Sequence, residues 1–518
     1  MNMCVGLVSP SHSWERLLHA EGVTFAVIPA GETPDVDRFA VIIIDRIPDD
    51  SAMRTRLEAY LRQGGALLAY AGHLGDIGGM EVRHEWLGYV VGDGVGVFGT
   101  IGLCDIGSGG VIPREANTLR TPSNTFAAFA GPWRGGHMVI LPFDPARTMA
   151  DARHADKNFY SARDRLPSET VSLAGKAVTG QLLHRALEYL FHARGIPYMH
   201  LWYFPGGRPN VFAFRIDSDK GTTAQVDTLY DIACDYQVGM SWFLDVGSHE
   251  SWLSHFRFMT NQEFGVHCYE HVTYPDHERN RRNFGKALHL MRDAGLHPAG
   301  VAAPFGTWNE AVAKVQEDLG FAYASEFSWA YDGFPGFAQR DGEDVGALQV
   351  PIHPVCIGSL RRVGYRESHM IDYFTMVVEE KLRRDEPLFF YHHPGHAGWE
   401  VMRHLFSHVR RCGIESMTLG AFSSWWKARE NVAWNASWSG TTIALNVSPS
   451  VPESMWFRIS RREGGEVVVP PAPEIQLSRL VWTDRPDPPP PRDVRRIRDF
   501  DPRGMLGSLF TSFSKRMR

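Results

Sequence analysis

Cysteine is scarce in these 518 residues: six, at Cys4, Cys104, Cys234, Cys268, Cys356 and Cys412, with no tight spacing. That scatter gives no disulfide framework and points to reduced thiols. Long apolar runs are also missing. Ala40 to Ile44 and Leu388 to Tyr391 have the length of buried strands, far short of the roughly 18–20 residues that span a bilayer. Met1 to Pro10 has neither a basic region nor an apolar stretch of signal-peptide length. From these absences the expected setting is cytoplasmic. Charge of one sign is lacking as well, since 53 Lys and Arg against 59 Asp and Glu leave a formal net charge of −6. The basic residues stay dispersed until the very end, which speaks against a nucleic-acid partner. No internal repeat is evident.

The chain is too long for one ordinary core, so several domains are expected. Residues 1–195 alternate short β-branched runs with helical periodicity. Phe25 to Ile28, Val41 to Ile44 and Ala66 to Tyr70 read as strands. Asp49 stands where a cap is needed for a helix over Ser51 to Arg62, and Gly64-Gly65 stops it. The resulting βαβ unit predicts a doubly wound, flavodoxin-like α/β sheet. Residues 205–428 again alternate, with strands at Val211 to Phe214, Met240 to Leu244, Phe264 to Val266, Val301 to Ala303, Phe321 to Ala324 and Leu388 to Tyr391. This count predicts a distorted (β/α) barrel with reactive groups at the strand C-terminal ends. Residues 431–484 are short alternating segments, predicting a small β module. Residues 485–518 hold a proline-rich linker and a tail.

Four motifs carry chemistry. Arg215-Ile216-Asp217-Ser218-Asp219 follows an apolar strand and puts two carboxylates on one side of an extended backbone. One can hold a metal while the other accepts a proton. His267 and His271, four apart, share one face of a helix or tight turn, so both imidazoles reach one ion. With an Asp they make a His-His-Asp set that leaves positions open for water and substrate. Zinc is the first choice of divalent metal, with Co2+, Ni2+ and Fe2+ also admitted. Ala303-Pro304-Phe305-Gly306 follows another strand, and His392-His393-Pro394 ends the last one. A histidine there can protonate a leaving amine.

In this order the motifs resemble those of the NodB-homology polysaccharide deacetylases, carbohydrate esterase family 4, over about residues 210–428. The resemblance implies that Asp217 is the base and that Asp219, His267 and His271 are the metal ligands. It gives the backbone N–H of Phe305 to the oxyanion and the acid to His393, with His392 as the alternative. Pro304, Trp308 and His392 would lie on the substrate side. Two departures are clear: Ser218 separates the aspartates, and Ala302 stands where the family has an arginine that orients the base. Arg215, two before Asp217, is the expected stand-in. The first 195 residues resemble the class I glutamine-amidotransferase-like fold. The turn Tyr70-Ala71-Gly72-His73 lacks that family's nucleophilic cysteine, so a non-catalytic role is expected.

The implied activity is removal of an N-acetyl or similar acyl group from an amino sugar or polysaccharide. Two rivals stand beside it: a catalytically impaired carbohydrate-binding or scaffold protein, and a hydrolase of a non-sugar amide. In the tail, Met505, Leu506, Leu509, Phe510 and Phe513 fall on one side of a helix, with Lys515, Arg516 and Arg518 following. Such a stripe either docks on the protein's own surface, or frays in solution, or makes peripheral contact with an anionic membrane.

Overall fold

Val41–Ile44 is buried at every residue, which a strand satisfies only when both faces of its sheet are covered. The computed structural model, which describes residues 1–46, 51–75, 77–161, 166–448 and 451–484, shows how. Strands β1 (Val5–Val8), β2 (Phe25–Val27), β3 (Val41–Ile44) and β4 (Ala66–Tyr70) come first. An antiparallel pair, β5 (Val82–Val90) and β6 (Cys104–Pro113), precedes β7 (Thr118–Arg120), β8 (Phe126–Trp133) and β9 (Gly136–Leu141). One sheet runs in the order β2-β1-β3-β4-β9-β8-β7, its first five strands parallel. Val41, Ile43 and Leu68 face the helices His12–Glu21 and Lys176–Ala193. Ile42, Ile44 and Leu67 face helix Ser51–Arg62. Asp49, the expected cap of that helix, and the tail from residue 485 onward lie outside the described residues.

After a two-stranded ladder of β10 (His154–Asn158) and β11 (Ser168–Ser172), β12 (Tyr198–Leu201) leads into the middle region. There β13 (Phe212–Asp217), β14 (Met240–Leu244), β15 (Glu263–Val266), β16 (Gly300–Val301), β17 (Tyr323–Ala324), β18 (Gly336–Arg340), β19 (Glu343–Gln349) and β20 (Leu388–His392) form one sheet. Its order is β18-β19-β17-β16-β15-β14-β13-β20, all parallel except the edge strand β18. The sheet curls strongly. Four strand spacings of ~4.8 Å would separate β13 from β17 by about 19 Å in a flat sheet. Arg215 of β13 nevertheless donates to the carbonyl of Ser325, just after β17, at 2.5 Å. Beyond β19 the chain reaches β20, where His353 N–H donates to Phe389 O at 2.8 Å. Helix Leu419–Glu430 stops the bottom, with Leu419, Phe422 and Trp426 packed among Phe243, Tyr323 and Phe389.

The last strands are β21 (Trp434–Trp438), β22 (Thr442–Val447), β23 (Phe457–Ser460), β24 (Glu466–Val469) and β25 (Glu474–Gln476). One sheet is β21-β22-β25; the other is β12-β23-β24, so it borrows a strand from the middle connection.

Candidate active site at the C-terminal ends of the curled sheet

Alternation along β13 decides what faces inward. Phe212, Phe214 and Ile216 join the core beneath the outer helices, while Ala213 joins the interior. Arg215 and Asp217 therefore point inward. Arg215 is fully buried, and its Nε and Nη2 donate to Asp217 Oδ1 and Oδ2 at 2.5 and 2.6 Å. Its Nη1 donates to Ser325 O and Oγ at 2.5 and 3.1 Å. Both ends of the carboxylate are thus gripped by one planar fork. Ser218 turns the other way into the wall, where its Oγ accepts from Asp245 N–H and meets His249 Nε2, both at 2.8 Å. The residue between the aspartates leaves both of them on the site side.

His267 follows β15, and its Nδ1–H donates to Ala302 O at 2.7 Å. A carbonyl only accepts, so Nε2 keeps its lone pair for the site. His271 arrives by a turn rather than a helix, with Cys268 and His271 both at positive φ (83° and 51°). That loop is pinned by Asn283, a buried residue of helix His277–Asp293. Its Oδ1 accepts from Tyr269 and Glu270 N–H at 2.9 and 2.8 Å, and its Nδ2 donates to Val272 O at 2.8 Å. The imidazole Nε2 atoms of His267 and His271 lie 3.2 and 3.0 Å from Asp219 Oδ1. Asp219 Oδ1 and His271 Nε2 are shielded from solvent, yet neither makes a well-directed hydrogen bond. Ligand atoms ~2.0–2.1 Å from a tetrahedral zinc ion lie about 3.3 Å apart. The donor set and its spacing fit a divalent cation.

His393 faces this set. Its Nε2 is 3.6 Å from Asp219 Oδ2 and 4.0 Å from Asp217 Oδ2. Burial alone would lower its pKa, but Asp219, Cys356 and Asp217 push it up to about 9. Burial would likewise raise the Asp219 carboxyl, but the charge of His393 and the close His267 and His271 imidazoles hold it well below the usual carboxylate range. Cys356 Sγ lies 4.0 Å from His393 Nδ1 on the far side of the ring. Sequence reasoning passed over Cys356, Ser325 and Asn283. No local motif marks them, because each acts through a contact distant in sequence.

Two expected substrate residues are placed elsewhere. His392 has the opposite parity to His393: it is fully buried on the outer face of β20, near Trp399, and neither ring nitrogen has a hydrogen-bond partner. Trp308 is packed with Ala313, Trp329 and Ala330 in an apolar cluster, so its ring serves the core. Pro304 is buried at the start of a single turn. Phe305 is the aromatic residue at the site: it is 48% exposed, has φ +60°, and its ring lies 5.3 Å from that of His271.

No protein-family model matches the chain, and no curated protein matches it. Solved structures do. A Mycobacterium smegmatis protein assigned to the polysaccharide deacetylases is 16% identical at a TM-score of 0.38, over 44% of this chain and 93% of its own. A family 4 carbohydrate esterase from Streptomyces lividans, in complex with acetate, is 12% identical at 0.29, over 40% and 91%. A family 4 pseudoenzyme from Bacillus anthracis is 15% identical at 0.31, over 42% and 66%. The solved structures that this chain is similar to thus include polysaccharide deacetylases of carbohydrate esterase family 4, each matched over less than half of the present sequence.

Proposed function

We propose that the middle domain is a divalent-metal-dependent hydrolase that removes an acetyl or similar acyl group from the nitrogen of an amino sugar or polysaccharide. The observation that carries the reading is the convergence of His267 Nε2 and His271 Nε2 on Asp219 Oδ1, at 3.2 and 3.0 Å, with Asp217 and His393 beside them. A divalent ion in this set lowers the pKa of water and polarises the substrate carbonyl. The chain's own residues do the rest. Asp217, held by Arg215, accepts the proton of the attacking water through a carboxylate oxygen. The backbone N–H of Phe305 donates to the carbonyl oxygen as it gains charge. His393 Nε2 delivers a proton to the departing nitrogen, so acetate and a free amine leave. Zinc suits the two imidazoles and one carboxylate, and Co2+, Ni2+ and Fe2+ suit them next.

Metal content and acetate release from a panel of N-acetylated oligosaccharides test the proposal together. Bound metal with acetate release is the expected result. Bound metal without release from any sugar or simple amide overturns catalysis and leaves a binding protein.

A further inference from the structure

The parallel strands of the N-terminal sheet end in chemistry that the middle domain does not use. Asp45 directly follows β3, His73 lies three residues beyond β4, and Asp144 follows β9. These strands are neighbours in the order β3-β4-β9, so the three side chains gather at one edge. In open α/β sheets, ligands bind outside the carboxyl ends of the strands, beside the point where strand order reverses. Here that point lies between β1 and β3, and Ser11, just past β1, donates its N–H to Asp45 Oδ2 at 2.5 Å.

The donor atoms of Asp45, His73 and Asp144 all lie within 4.8 Å of one another. Asp45 is 3% exposed, and its side chain accepts that one backbone N–H. Asp144 Oδ1 accepts from Ala146 N–H at 2.9 Å. Among the described residues neither carboxylate forms an ion pair with a lysine or arginine. His73 Nδ1 is shielded from solvent and has no hydrogen-bond partner. Two close carboxylates in a partly buried site need a cation, and an unpaired imidazole nitrogen beside them supplies a third ligand atom. Burial and the neighbouring Asp45 charge raise the Asp144 carboxyl, against the opposing effect of His73.

We propose that Asp45, His73 and Asp144 form a second metal site, in the N-terminal domain, for a first-row divalent cation. Two carboxylates and one imidazole are a harder set than the one in the middle domain. They suit Mn2+ or Fe2+ as well as Zn2+, and three protein ligands leave positions open for water or an anionic ligand.

The experiment uses the full chain carrying Asp219→Ala and His267→Ala, so that the middle domain contributes no ion whether or not it binds one. Mn2+ is added alone, excess is removed by gel filtration, and Mn is counted by elemental analysis and electron paramagnetic resonance. One ion per chain is expected, falling at least tenfold when His73→Ala or Asp144→Asn is added. Both added changes lie at partly exposed positions, and circular dichroism checks the fold of each variant. A thermal midpoint that rises with Mn2+ in the parent, and not in the His73→Ala variant, is the second readout. No Mn2+ in the parent overturns the site. So does full retention in both added variants.

Discussion

Arg215 occupies the position two before Asp217, and the sequence offered it as a stand-in for an arginine that the third motif lacks. It binds both carboxylate oxygens of Asp217 and is completely buried, which has a consequence for stability. Arg215→Met leaves a buried carboxylate without its partner, at a cost of about 3–5 kcal/mol. Turnover and thermal stability should therefore fall together, and the Arg215→Met/Asp217→Asn double variant should regain most of the stability but none of the activity. Chemical denaturation of the four proteins measures the coupling; simple additivity would show that the pair is not linked. Asp219→Ala and His267→Ala each remove one of the three proposed ligands and should lower bound metal by about one ion per chain relative to the unaltered protein, read by elemental analysis. Glu326 sets a pH dependence of its own. Fully buried, with Ala303 N–H donating to Oε1, its carboxyl is pushed up from 4.5 to about 7. Between those values the folded chain keeps a proton that the unfolded chain has lost. Its contribution is thus intact below pH 4.5 and is lost as pH rises through 7, by up to ~3 kcal/mol. Glu326→Gln should flatten the fall in stability between pH 5 and pH 8, and an unchanged slope would assign the dependence to another group.

Strands made of short, mainly apolar runs were legible, and β3, β4, β14 and β22 fall where the residues indicate. The pair β18–β19 was not, because Phe337-Ala338-Gln339-Arg340 has little strand propensity. Its turn did leave a mark: Asp341 and Gly342 take φ +52° and +84°, and an Asp-Gly pair is a strong hairpin signal. The choice between His392 and His393 needed strand register. Both alternating sets of β20 are apolar, so alternation finds two faces without telling which is inside. The register places Tyr391 opposite Arg215, and Arg215 points inward. Tyr391 and His393 follow it. Element geometry also isolates Phe305, whose left-handed backbone costs a side-chain-bearing residue roughly 1–2 kcal/mol. Phe305→Gly should relieve that strain, leaving stability equal or up to about 1 kcal/mol higher, while stripping the exposed ring from beside His271. An increased KM for oligosaccharide with little change for a small acetamide would show that the ring acts on substrate. Equal losses on both would place its effect in the loop.

At the scale of the molecule, the expected modules are joined by shared strands and shared core. Residues 431–484 read as a small separate β module, yet β23 pairs with β12 through four residues, Tyr198↔Ser460 to Leu201↔Phe457. Asn2 bridges to Ser437. Trp434, Ile443, Phe457 and Ile459 lie in one core with Leu187, Leu190 and Tyr198. Burying four such side chains contributes about 1.5–3 kcal/mol each, in sum comparable to the ~5–15 kcal/mol that stabilises a whole protein. The fully buried Arg429 adds a polar clasp, donating to Leu201 O, Ala20 O and Trp202 O at 2.7, 2.9 and 2.9 Å. A chain ending at Asn431 keeps that clasp and every proposed site residue but loses β21 to β25. It should nevertheless lose the cooperative fold of the N-terminal region, with β12 left as an unpaired edge over an exposed apolar face. Limited proteolysis should then cut within residues 1–200 far faster than in the full chain, and residues 432–484 alone should show no cooperative melting. A truncated chain that melts at the full-length midpoint would mean that the last strands cover the core without holding it.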